Sequence, residues 1–203
     1  MRELLENAAR RAIAYLENLD SRRVAPSPEA IAQLNALDQP LPDLGYEPEK
    51  VLELMDQICS PATVAMAGPR YFGFVIGGSI PITLAANWLA GAWDQNSVYY
   101  YAAPGTAYLE QITLRWLLNL FHLPGLFAGA FVTGATMANL SSLAAARHAV
   151  LKQAGWNVEA DGLFGAPPIT VIVGAEVHPS LVKSLGLLGL GRSRTVKVPA
   201  DGR

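Results

Sequence analysis

One cysteine, Cys59, stands in the 203-residue chain. No disulfide can therefore close within one chain, no cysteine–histidine zinc spacing exists, and no metal site is expected. Charge is also scarce: 16% of residues are charged and the formal net charge is −2. A chain so weakly charged lacks the basic stripe of a nucleic-acid binder, and the small cluster of Arg192, Arg194, Lys197 and Arg203 reads as a solvated loop. No run of eighteen apolar residues occurs. The longest candidate, residues 75–92, is broken by glycine, proline and asparagine, so no membrane partner is expected. The start alternates charges without an apolar core, unlike a secretory signal. These absences leave a reducing, cytoplasmic setting as the expectation. Three phosphate and nucleophile motifs are missing too. Without Gly-x-x-x-x-Gly-Lys, Gly-x-Gly-x-x-Gly or Gly-x-Ser-x-Gly there is no ATPase loop, dinucleotide fingerprint or hydrolase elbow.

Apolar residues are abundant instead, at 51%, so much surface must be buried against the chain itself or a partner. The length suffices for one sizeable domain. The stretch Phe131–Arg147 organises the rest. Phe131-Val132 suggests a short strand or an extended approach. Thr133-Gly134-Ala135-Thr136 is a small polar turn, and Ala138, Leu140, Leu143 and Ala144 then recur at helical spacing. A helix start has N–H groups without internal partners and the positive end of the macrodipole. Small side chains let an anion approach that backbone, and Thr136 adds a hydroxyl. The stretch reads as a phosphate seat. It also reads as an ordinary helix capped by Thr133 or Thr136.

Residues 1–60 are helical and proline-punctuated. Arg2–Leu19 is amphipathic, Ser27 can cap a short helix over Glu29–Leu37, and Pro48 opens another through Cys59. This segment reads as an arm packing on a second subunit or as a helical layer on its own domain. From residue 61 the pattern changes. Pro69–Ser79 alternates aromatics with glycine and ends in Gly77-Gly78, where the backbone has unusual freedom and a ligand can approach, or where the chain simply turns. Helices follow over Pro81–Trp93 and from about Ala107 to Phe121, with His122 placed to suit the second helix's dipole. Trp156–Gly165 is expected as a loop. Ile169–Val173 is a continuous apolar and β-branched run, as in a buried parallel strand. Glu176-Val177-His178 follows it, then a helix over Leu181–Leu190, then a strand over Thr195–Val198.

Helix, strand, helix, strand is an α/β order with parallel strands. Ligands in such sheets sit beyond the carboxyl ends of strands. His178 lies just past one such end and the phosphate-like turn at another strand-to-helix junction, so both can face one pocket. A cofactor with a single phosphate and a flat ring is compatible, since an imidazole can stack on such a ring.

Several blocks then occur in a specific order and spacing: Arg23-Val24-x-Pro26, Pro69-Arg70-Tyr71-Phe72-Gly73-Phe74, Trp93-Asp94-Gln95-Asn96, Pro104–Glu110 with Trp116-Leu117, Gly134–Leu140 with Ala144–Arg147, and Glu176–Lys183. Together they resemble the N-terminal part of the group II pyridoxal-phosphate-dependent amino-acid decarboxylases, over nearly the whole chain. The resemblance implies the large domain of the aspartate aminotransferase-like fold, type I, over residues 61–203, with an incomplete sheet and a helical dimerisation arm over 1–60. It implies pyridoxal 5'-phosphate as cofactor, an L-amino acid as substrate and a homodimer with its active site at the interface. Gly134, Ala135 and Thr136 would hold the cofactor phosphate. His178 would stack on the pyridine ring and act as the catalytic residue that touches substrate. Ile76 and Gly77 would lie near the substrate. Gly68 and Ala107 depart from the family pattern, which often has histidine and threonine there, and leave the substrate open. The family's Schiff-base lysine and its pyridinium-pairing aspartate fall downstream of His178. Lys183 and Lys197 do not match that lysine motif, and the 203 residues alone are expected to be inactive. A transaminase, aldolase or aldehyde synthase reaction, or a truncated non-catalytic assembly partner, are the alternative expectations.

Overall fold

A computed structural model describes residues 1–201, so Arg203 of the basic cluster lies outside the described residues. The chain divides into two compact units, Met1–Gln95 and Asn96–Arg203.

The first unit is helical. Helix α1 spans Arg2–Glu17, α2 Pro28–Gln33, α3 Pro48–Leu54 and α4 Pro81–Trp93. Proline opens three of the four, since its fixed φ suits the first helical position and its missing N–H has no partner to lose there. Ser27 caps α2 as expected, its hydroxyl accepting the Ala30 N–H at 3.2 Å. The same hydroxyl holds the Glu29 carboxyl below its ordinary range. Helix α1 packs on its own unit through Arg11–Asp56 at 2.6 Å and Tyr15–Thr63 at 2.8 Å.

The second unit holds α5 (Pro104–Leu120), α6 (Ala135–Gln153), α7 (Val158–Asp161), strand β1 (Val171–Gly174), α8 (Pro179–Leu187) and β2 (Thr195–Val198). The strands pair in parallel, with Val171 opposite Thr195 and Gly174 opposite Val198. A parallel pair needs a long crossover, and residues 175–194 supply it through α8. The described residues are thus mostly helical with a small parallel sheet. The core of this unit lies where α6 meets α8: Leu151 and Leu185 are almost fully buried, with Leu188 beside them. Each such burial stabilises by roughly 2 kcal/mol.

Four expectations need correction. The 156–165 stretch is not all loop, because Asn157 caps α7 by accepting from Glu159 and Ala160 N–H groups. Helix α5 starts at Pro104 rather than Ala107, again with proline at its first position. Helix α8 starts at Pro179 and stops at Leu187, with Gly189 just beyond in the left-handed region at φ 74. Strand β1 is not a buried strand: Val173 is buried, but Ile172 is 66% exposed. The run has the composition for two covered faces and only one is covered here.

Candidate cofactor site

Helix α6 follows Gly134, whose backbone is extended at φ 164. No side chain caps this start, so neither Thr133 nor Thr136 serves as the N-cap hydroxyl. The amides of Ala135 and Thr136 belong to the first turn, where a helix offers N–H groups without internal acceptors. A Cβ built on Gly134 would meet no atom within 4 Å, so the space before the helix is open. Thr136 is half-buried and adds its hydroxyl to the same turn.

Helix α8 lies against α6 and fixes this start from below. Ser184, fully buried, directs its hydroxyl to the carbonyls of Thr136 at 3.1 Å and Ser180 at 2.8 Å. Three turns along α6, Arg147 Nη1 donates to the Leu188 carbonyl at 2.8 Å. The two helices are therefore tied at both ends of their contact.

His178 is the residue before Pro179 and is itself the N-cap of α8. Its Nδ1 accepts the Ser180 N–H at 3.2 Å and lies 2.8 Å from Ser180 Oγ. Asn139, on α6 one turn after Thr136, donates from Nδ2 to that same Oγ at 2.9 Å. His178 is otherwise exposed. Gly134, Ala135, Thr136 and His178 thus fall within one hydrogen-bonded arrangement of α6 and α8.

Ile76 and Gly77 belong to the other unit. They follow a turn at Phe74 and Val75; Ile76 is 48% exposed and a Cβ on Gly77 would meet nothing. Lys183 and Lys197 are exposed.

Sequence reasoning assigned no role to Asn139, Ser180 or Ser184. One signal was available. Proline at a first helical position marks the preceding residue as the cap, which makes His178 a capping side chain with Ser180 in reach.

Backbone amides, a hydroxyl and an open approach suit a phosphate monoester. A held but exposed imidazole suits a flat aromatic ring. Residues 28–203 match the pyridoxal-dependent decarboxylase conserved domain. The chain belongs to that family. Members of this decarboxylase family use pyridoxal phosphate, which is the chemistry these donors suit. The chain is 24% identical over 201 residues to the aromatic-L-amino-acid decarboxylase of Bacillus atrophaeus, covering 99% of this chain and 40% of the relative. It superposes on mouse CSAD with a TM-score of 0.86 at 25% identity, covering 100% of this chain and 42% of that one. It is also similar to Oryza sativa TDC, solved with PLP and tryptamine, with a TM-score of 0.84 at 21% identity, covering 98% and 41%. The chain therefore spans about two fifths of the length of these relatives. No helix among the described residues is long and apolar enough to cross a membrane.

Proposed function

We propose that this chain is the N-terminal portion of a cytoplasmic, pyridoxal-phosphate-dependent L-amino-acid decarboxylase. In this reading residues 61–203 are part of a type I, aspartate aminotransferase-like large domain. Residues 1–60 are the arm by which two subunits pair around a shared active site. The observation that carries the reading is the uncapped start of α6 joined to His178 through α8.

Each residue then has a task. The amides of Ala135 and Thr136 and the Thr136 hydroxyl hold the phosphate, and Gly134 leaves room for it. Their dipoles are fixed before binding, so no reorganisation is needed when the charge arrives. His178 would stack on the pyridine ring and touch the substrate. Ile76 and Gly77 line the substrate side. When bound, the cofactor supplies an electron sink for the pair left on the α-carbon as carbon dioxide departs. The protein's part is to keep the ring flat, exclude water and direct the substrate carboxylate out of the ring plane. No cofactor-anchoring lysine is assigned within these residues, since Lys183 and Lys197 stand exposed on α8 and β2.

Large exposed apolar side chains in each unit support the view that more protein covers them. Trp116 is 70% exposed, Phe72 91% and Leu126 85%. Exposed apolar surface of this extent marks contact with another surface.

Two measurements test the reading. Pyridoxal phosphate titrated into the chain is expected to bind saturably and to be displaced by inorganic phosphate, without borohydride-stable attachment to any one lysine. In a full-length protein carrying this chain, carbon dioxide and amine are expected in equal amounts from an L-amino acid. Aldehyde in place of amine would move the assignment to an aldehyde synthase, and absence of cofactor binding in both would overturn it.

A further inference from the structure

The bonds around His178 have a direction. A backbone N–H can only donate, so the contact from Ser180 N–H makes Nδ1 an acceptor that carries a lone pair. Ser180 Oγ, 2.8 Å from Nδ1, itself receives the Asn139 amide. The hydroxyl has one proton. Because Nδ1 already accepts the Ser180 N–H, the Oγ–Nδ1 contact is made by that proton, shared on the same lone pair, while the oxygen accepts the Asn139 amide. The chain therefore runs one way, from Asn139 through Ser180 to His178, and a neutral imidazole keeps its own proton on Nε2. The buried Ser184 hydroxyl holds the Ser180 carbonyl and the Thr136 carbonyl together, so the relay is registered against the first turn of α6.

We propose that Asn139 and Ser180 are positioning residues that lock neutral His178 in the Nε2–H tautomer, so that this histidine faces its ligand as a hydrogen-bond donor and not as a base. The proposal rests on the reading of His178 as the ring-stacking, substrate-touching residue. It adds what that residue offers: a donor suited to an acceptor such as a carboxylate oxygen.

The test uses the chain labelled with 15N-histidine, without cofactor, near neutral pH. Long-range 1H–15N spectra distinguish protonated from unprotonated ring nitrogens. His122→Gln and His148→Gln identify the His178 signals by elimination. The expected wild-type pattern is an unprotonated Nδ1 and a protonated Nε2. Asn139→Asp replaces the donor with a carboxylate that can only accept. It would accept a hydrogen bond from the Ser180 hydroxyl, turn an Oγ lone pair toward Nδ1, and raise the population protonated at Nδ1. Ser180→Ala keeps the backbone donor and is expected to shift the pattern the same way by less. A wild-type His178 protonated at Nδ1, or an even mixture, overturns the proposal. So do wild-type nitrogen shifts in both folded variants, whatever happens to their melting temperatures, because a purely structural role would change stability alone. If Asn139→Asp does not fold, the wild type and Ser180→Ala decide. Pyridoxal phosphate titrated into the same samples separates the two readings. A fixed tautomer without cofactor binding sinks the cofactor assignment and leaves the relay, and binding with a mixed tautomer does the reverse.

Discussion

The start of α6 in the second unit and the segment from Phe72 to Gly78 in the first are built in opposite ways. The first is held by polar groups that close on one another: Ser184 on Thr136, Asn139 on Ser180, Ser180 on His178. Its serines are buried. The second has aromatic and aliphatic side chains in the open, with Phe74 90% exposed and Val75 105%. Both residues also sit in the left-handed region, at φ 55 and 53, which a β-branched residue adopts at a cost. Directional bonds between two helices specify their geometry from within the unit that holds them. An apolar segment is specified only by what covers it. The α6–α8 arrangement is thus held within its own two helices, while the 72–78 segment has the character of a surface made to be covered.

Truncating one apolar side chain in each region sharpens the contrast most. Leu185 is fully buried, so Leu185→Ala is expected to lower unfolding free energy by about 3 kcal/mol through lost transfer energy and a cavity. Ile76 is 48% exposed, and Ile76→Ala is expected to change it by no more than about 0.5 kcal/mol. Denaturant midpoints read both. Equal losses would mean that the two regions are held alike.

A second variant separates helix stability from anion binding at one position. Thr136→Asp puts a carboxylate in the first turn of α6. Favourable interaction with the helix dipole should raise stability by about 0.3–1 kcal/mol. The same charge a few ångströms from a phosphate should weaken pyridoxal phosphate binding by about 100-fold, as expected for like charges at a partly shielded site. Thermal melts and cofactor titration are thus expected to move in opposite directions. If both fell together, the α6 start would be a structural cap and not a seat.

The start of α6 and the strand-end place of His178 were legible in the sequence because their signals are local. The small polar turn before α6 and the histidine just past the β-branched run of β1 are both visible in the chain itself. The bonds that join them were not legible. Asn139 and Ser180 are separated by 41 positions, and only the packing of α8 on α6 brings them to 2.9 Å. The exposure of Ile172 was missed for a related reason. A β-branched run reports the faces a strand is suited to bury, and the number of neighbours it has is set by chain elsewhere. The early start of α5 was open to sequence reasoning, because Pro104 is a helix-opening residue in the same way as Pro28, Pro48 and Pro81.

The smallest expected effect probes the exposed segment directly. Val75 makes no protective burial, so Val75→Gly removes almost no packing. Glycine takes a positive φ freely, which relieves about 1–2 kcal/mol of steric cost in the left-handed region. The more flexible unfolded chain offsets about 0.5–1 kcal/mol of that gain. The net expectation is a change between zero and about 1.5 kcal/mol in favour of the variant, read from chemical denaturation of the chain. A loss of stability by a similar amount would show that Val75 is packed in solution. The contrast between the two regions would then lie in which surface covers the segment, and no longer in whether it is covered. Repeating the measurement in a full-length protein carrying this chain turns the same substitution into a probe of that surface. There the covered reading predicts a loss where the isolated chain shows none, because the valine methyls would then be buried.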